Sequence, residues 1–294
     1  MLSGMLLLVQ LERGNNMNRL NRDRQVQVIK ALVEGNGINS IVRMTGVAKN
    51  TVLKLLADLG AACLEYQNEN LRDLKSSHIQ CDEIWEFCYA KEKNVPAEYK
   101  GKFGYGDIWT FVAIDAETKL VPCWLVGMRN VESATEFIND LKGRLANRIQ
   151  LTTDGHKMYA EAIEKTFGSE IDYATIVKLY GQESEPDKKY SPAKCLGSEK
   201  HVIRGNPDAK QVSTSYIERQ NLTMRMSMRR FTRLTNGFSK KAENHMYAVA
   251  LHFMYYNFAK THKTLSNPYP QTPAMAAGVS DHVWTIEEIV KLVN

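Results

Sequence analysis

No Cys-x-x-Cys pair occurs among the five cysteines of this 294-residue sequence, Cys63, Cys81, Cys88, Cys123 and Cys195. An odd number without that spacing argues against a zinc ribbon and a disulfide framework. The cysteines are expected to be buried small apolar residues in a reducing cytoplasm. Long hydrophobic runs are also missing. The stretch Met5-Leu6-Leu7-Leu8-Val9 is far short of the roughly 20 residues a membrane span needs. It has neither a positive leading region nor a small-residue cleavage site, so no signal peptide and no membrane partner are expected. Residues 1–21 read as a disordered extension, with Met17 as an alternative start. Net charge is modest at +5, which permits a polyanionic partner without requiring one. The most telling absence is local. From Arg219 to Ala242 there is no acid, against seven cations: Arg219, Arg225, Arg229, Arg230, Arg233, Lys240 and Lys241.

The chain is long enough for roughly two domains. Residues 22–60 read as three short helices. Val26, Ile29, Leu32 and Val33 have helical spacing and stop at Gly35 and Gly37. A second helix covers about Asn39 to Met44, Gly46 makes a turn, and a third starts near Asn50 as N-cap. It repeats Val52, Leu55, Leu56 and Leu59, and Gly60 is expected to close it. Two short helices joined by a glycine turn match a helix-turn-helix. Its outward residues would be Lys49, Asn50, Thr51 and Lys54, within reach of phosphates and base edges. The bland alternative is a plain three-helix bundle. Residues 61–77 read as a helical linker.

From His78 the texture becomes that of strands. Three are expected at His78–Ala90, Gly106–Asp115 and Leu120–Gly127, the first two joined by a polar loop. A helix capped by Ser133 follows, then a strand at Arg148–Thr153, a helix at His156–Phe167 and a fifth strand at Tyr173–Tyr180. This order predicts an α/β fold, a mixed five-stranded sheet flanked by helices, preceded by the all-α domain. Gln182–Val212 reads as a long basic loop. Ser213–Arg233 reads as a helix whose basic face, interleaved with methionines and Phe231, suits a phosphate backbone. Glu243–Ala259 is an apolar core helix. The catalytic domain would span 78–260, and 261–294 would form a tail ending in a short helix at Ile286–Val293.

Three acids stand out as a possible site: Asp82 on the first strand, Asp154 at the end of the fourth, and Glu218 on the helix after the basic loop. Carboxylates on rigid elements around one point can hold two divalent cations for phosphoryl transfer, one activating the attacking oxygen and one stabilising the leaving oxygen. Magnesium suits such hard oxygen ligands. Each acid has a plainer reading. Asp82 could be a strand-edge charge, with Glu83 as a rival ligand. Asp154, before a glycine, could form a turn or cap a helix. Glu218 could close a capping box with Ser215. Arg225 lies two turns beyond Glu218 on the same helix face. His156 is a candidate auxiliary group for a water or phosphate, although a lone histidine is more often structural.

Together these residues resemble the DDE transposases of bacterial and archaeal insertion sequences, nearest to the insertion-sequence-one-like group. The resemblance rests on Cys81-Asp82-Glu83-Ile84-Trp85, Thr153-Asp154-Gly155, Thr214-Ser215-Tyr216-Ile217-Glu218-Arg219-Gln220-Asn221, Met228-Arg229-Arg230-Phe231-Thr232-Arg233 and Thr272-Pro273-Ala274-Met275-Ala276. It implies a ribonuclease-H-like catalytic domain with Asp82, Asp154 and Glu218 as metal-binding catalytic acids and Arg225 as the basic residue that follows the glutamate. It also implies Mg2+, with Mn2+ as substitute, as a pair of ions. The implied reaction is cleavage at transposon ends and strand transfer into target double-stranded DNA, by a homo-oligomer of at least two chains on the nucleoid. Two features depart from relatives: no cysteine or histidine set precedes the helix-turn-helix, and the chain is continuous. The competing readings are a non-catalytic DNA-binding protein and a ribonuclease-H-like nuclease without strand transfer.

Overall fold

Asn21 opens the first helix, α1 (Arg22–Val33), by accepting the Arg24 amide at 3.0 Å. The structure is a computed structural model that describes residues 20–180, 195–232, 236–266 and 269–293. Helix α2 (Ile38–Thr45) ends on Gly46, which takes the left-handed conformation at φ 67°, as glycine does where a side chain would clash. Helix α3 (Lys49–Asn70) starts from Ala48, so Asn50 sits inside its first turn rather than at its cap. The expected stop at Gly60 does not occur, and α3 runs straight through it. Gly60 serves close approach instead: a Cβ there would lie 2.4 Å from Tyr247 Cβ. Val52, Leu55, Leu56 and Leu59 are buried, as their spacing predicts.

The sheet is built from β1 (His78–Cys88), β2 (Gly106–Asp115), β3 (Trp124–Gly127), β4 (Gln150–Asp154), β5 (Asp172–Tyr180) and β6 (Cys195–Arg204). Its order is β3-β2-β1-β4-β5-β6. β1 pairs antiparallel with β2 and parallel with β4, β4 pairs parallel with β5, and β6 returns antiparallel to β5. The sheet therefore has six strands, not the five expected. β6 falls in the segment read as a loop. All of its residues except Arg204 are exposed, so it carries no inside–outside alternation for sequence to reveal.

The third strand starts at Trp124 rather than Leu120. At Val121 the backbone pairs with a side chain instead of a strand: Asn257 accepts the Val121 amide at 3.0 Å and donates to its carbonyl at 2.9 Å. Helix α4 (Val131–Lys142) is capped by Asn130, whose side chain accepts the Ser133 amide, not by Ser133 itself. Helix α5 (Lys157–Phe167) joins β4 to β5. Helix α6 (Ser215–Ser227) ends well before Arg233, and a 3-10 turn follows at Arg229–Phe231. Helix α7 (Ala242–Met254) runs into a π turn at Tyr255–Ala259. Two short helices, α8 (Pro273–Ala276) and α9 (Ile286–Lys291), complete the described elements.

Each face of the central strands is covered. Ile79, Cys81, Phe111 and Leu151 pack against Phe137, Ile138 and Leu141 of α4 and Tyr159 and Ile163 of α5. On the other face Ile84, Cys88 and Val112 pack against Ile217 and Met224 of α6 and Val249 and Phe253 of α7. A third core joins the N-terminal helices to the end of the chain: Ile29, Ile41, Leu56 and Leu59 meet Leu251, Met254, Phe258, Ile289 and Val290. All five cysteines are free; four are buried and Cys195, on β6, is exposed. Among the described residues no helix is long and apolar enough to cross a membrane.

Candidate active site

Parallel pairing decides where the first two acids go. Gln80 on β1 pairs with Thr152 on β4, and this is the last pair between the two strands. Two residues further along each strand lie Asp82 and Asp154, so the acids are level with one another where the strands part. A crevice at the carboxyl ends of diverging parallel strands is where open α/β sheets hold ligands. Asp82 and the next residue, Glu83, would normally face opposite sides of the sheet. Here, beyond the last β1–β4 pair, both reach the same opening. Carboxylate oxygens of Asp82, Glu83 and Asp154 all lie within 4.8 Å of one another.

Glu218 arrives from a different layer. Gln80 Oε1 accepts the first amides of α6, Tyr216 N at 2.9 Å and Ile217 N at 3.2 Å. A β1 side chain thus caps the helix and anchors Glu218 one residue later. Asn221, on the same face of α6, donates to Asp82 Oδ2 at 2.8 Å. Glu218 itself is turned toward β5. Its carboxylate accepts from Thr214 Oγ1 at 2.6 Å and from Lys178 Nζ at both oxygens. The structure therefore brings Asp82 and Asp154 together, adds Glu83, and holds Glu218 nearby on a lysine. The capping-box reading of Glu218 is not realised, because Thr214 is the N-cap and makes no side-chain cap.

The charges explain the titration of the pocket. Burial, then the negative charges of Glu83, Asp154 and Glu218, push Asp82 up to about 7. Burial and Asp154 also raise Glu83, against Arg129. Arg129 donates to Glu83 Oε1 from Nε at 2.8 Å, and its guanidinium lies 4.5 Å from the Trp109 ring centre. The Asp154 carboxylate is held by a tight turn, in which the His156 amide donates to Asp154 Oδ1 at 3.1 Å. The His156 ring caps α5 by accepting the Met158 amide at 3.4 Å.

The three clustered acids fit a hard divalent cation. An octahedral Mg2+ with oxygens at 2.0–2.1 Å separates its ligands by about 3 to 4 Å, so the cluster needs to close by only a fraction of an ångström to about 2 Å. Glu83 Oε2 is buried with no hydrogen-bond partner, an atom free to coordinate.

The residues expected to meet DNA divide into groups. Lys49, Asn50 and Lys54 are exposed and Thr51 is half-buried; Lys54 pairs with Asp58 at 2.7 Å. Arg229 is exposed and Arg225 half-buried on α6. Arg230 turns inward, donating to Ser239 Oγ at 2.7 Å. Burial lowers its pKa, opposed by the Glu86 carboxylate. Glu86 is a buried β1 acid that the sequence reading passed over. It lies 2.6 Å from His245 Nε2 and accepts from Thr110 Oγ1 at 3.1 Å. Arg233 lies outside the described residues, as do Lys188, Lys189 and Lys194 of the basic segment. Lys49 and Arg229, far apart in sequence, line one cavity.

No family model and no curated protein matches the chain. Among solved structures, a piggyBac transposase synaptic complex with hairpin DNA is similar over 99% of this chain and 74% of that chain, at 10% identity and a TM-score of 0.39. A Mos1 strand transfer complex is similar over 86% and 80%, at 12% identity and TM-score 0.24. A pre-cleavage Mos1 transpososome is similar over 55% and 60%, at 10% identity and TM-score 0.21. Scores this low assign neither fold nor reaction, which must come from the topology and the side chains.

Proposed function

We propose that the chain is a metal-dependent DNA-cleaving and strand-transferring enzyme, a DDE-type transposase on a ribonuclease-H-like sheet. The observation that carries this reading is the level placement of Asp82 and Asp154 where β1 and β4 part, with Glu83 completing a set of oxygens within 4.8 Å. Asp82, Asp154 and Glu83 would hold Mg2+ or Mn2+, and Glu218 would join on release from Lys178. Bound divalent cations supply Lewis acidity at a phosphodiester, activating the attacking oxygen and steadying the leaving one. The protein's own part is positional. β1 and β4 fix two carboxylates, Gln80 seats α6, and Asn221 orients Asp82 by hydrogen bonding. Arg129 keeps Glu83 from carrying an unopposed charge.

Lys49, Asn50, Thr51 and Lys54 would meet double-stranded DNA from the N-terminal helices, Arg225 from the helix that carries Glu218, and Arg229 from the 3-10 turn after it. Recognition of two ends calls for at least two chains.

A second reading is supported by the Lys178–Glu218 pair, which a DNA-binding protein with a silent site would also have. One experiment separates the readings: incubation with DNA carrying the flanking ends of the encoding element, in Mg2+ or Mn2+. Cleavage and joined products from the wild type, lost in Asp154→Asn and Glu218→Gln, support the transposase. Cleavage without joining points to a nuclease. Binding without cleavage in all three proteins rejects catalysis in favour of the binding protein.

A further inference from the structure

A cavity of about 520 Å3 opens between the N-terminal helices and the segment that follows α6. None of the clustered acids lines it. Ser227, which does line it, stands nine residues beyond Glu218 on α6, about 14 Å along a helix axis. We propose that this cavity binds a single nucleotide unit, a nucleobase with its 5′-phosphate.

The walls carry the argument. Four cations line the cavity, including Lys49, Arg229 and Lys240, and among the described residues no Asp or Glu does. Helix α2 opens into it with Gly37 as N-cap and no side-chain cap. The Ser40 and Ile41 amides bond the Gly37 carbonyl at 2.9 and 3.0 Å, which leaves the Ile38 and Asn39 amides to an anion. This end of the cavity suits a phosphate.

The remainder suits a base. Asn39, Asn236 and Asn244 belong to the lining, and an asparagine amide offers the donor and acceptor that a base edge needs. Leu53, Leu251 and Phe238 supply the apolar surface a planar ring requires. His252 also lines the cavity and is 5% exposed. The volume lies within the range of small-molecule sites, about 300–1,000 Å3. A bare phosphate would leave the asparagines unused.

The nucleotide has two possible sources, free in solution or an unpaired nucleotide of a DNA strand. The inference does not depend on the acids being catalytic, and the test keeps the two apart. The full-length protein is titrated with dAMP, dTMP, deoxyadenosine and inorganic phosphate by calorimetry. A mononucleotide should bind with a Kd of order 0.1 mM, at least about tenfold tighter than nucleoside or phosphate alone. Asn244→Asp, which puts a carboxylate on the wall, should weaken binding about tenfold or more. Leu53→Trp, which fills the cavity, should do the same, with the melting temperature showing that each variant folds. Binding should persist in Asp82→Asn and Asp154→Asn. In a second arm, 2-aminopurine at an unpaired strand end reports by fluorescence whether a DNA nucleotide enters. A signal lost in Leu53→Trp identifies DNA as the source, and mononucleotide binding without it identifies the free nucleotide. No mononucleotide binding together with no fluorescence change overturns the proposal. So does phosphate binding as tightly as the nucleotide, or binding unaffected by both cavity variants.

Discussion

Lys178 on β5 donates to both carboxylate oxygens of Glu218 on α6. The ammonium thus sits on the one candidate acid that stands apart from the Asp82, Glu83 and Asp154 cluster. Asp154 pairs with Ile176 across the sheet, which puts Lys178 two residues beyond, on the same face and at the same crevice.

For Glu218 to join a metal, this pair must break. Both side chains are about a third exposed or more, so the pair is worth at most about 1 kcal/mol. Lys178→Ala should therefore tighten Mn2+ binding about two- to fivefold, measured by electron paramagnetic resonance of the free ion. Lys178→Ala binding Mn2+ more weakly than wild type would mean that Glu218 takes no part.

Arg129 is the counter-ion of a carboxylate whose side chain is 1% exposed. Removing it leaves Glu83 buried and unpaired, at a cost of about 2–3 kcal/mol once discounted for the exposed guanidinium. Arg129→Ala should lower the melting temperature, and Arg129→Ala combined with Glu83→Gln should recover most of the loss. An equal loss in the double variant would instead assign Arg129's contribution to packing on Trp109.

Asp82 binds its proton more tightly when folded, near pH 7, than at its ordinary value of 3.8. Between these values the folded state holds more protons than the unfolded state, so stability falls as pH rises. The metal-free protein should lose stability from about pH 4 to 7 through this group. Denaturant titrations across that window should show a flatter dependence in Asp82→Asn. An identical pH slope in the variant would show that the acid titrates normally.

Gly60→Ala would drive a methyl into Tyr247 of α7, whose backbone carbonyl is 2.6 Å from the added carbon. A backbone obstacle cannot rotate away, so the packed helices must separate. A loss of about 2–3 kcal/mol is expected from overpacking. Gly197→Ala, with nothing within 4 Å, is the control and should change stability little. Equal melting temperatures for the two variants would contradict the close approach.

Much of this was legible in the sequence because it is written locally. The strand patterns read at His78–Ala90 and Arg148–Thr153 put Asp82 on one strand and Asp154 at the end of the other, and parallel pairing then made them level. Glu83, noted as a rival ligand, joined them. Other parts depend on contacts between distant segments. Gln80 reads as one more polar strand residue until it is seen capping α6, and Lys178 until it is seen on Glu218. Arg230 belongs to a cation-rich run that reads as a phosphate-binding face, yet it turns inward toward Glu86. Gly60 reads as a helix stop because glycine often is one; only the nearness of Tyr247 gives the other reason.

Strand β6 leaves one row of backbone groups unpaired at the described margin of the sheet, with Leu196, Val202 and Ile203 exposed beside it. Apolar side chains next to free amides and carbonyls make a template on which another chain can add. Glu199, Lys200, His201 and Arg204 interrupt that template with charge. Lys200 is held to the Ala209 carbonyl at 2.6 Å, and Arg204 is held to Glu164. These charges oppose lateral addition of another chain at this margin.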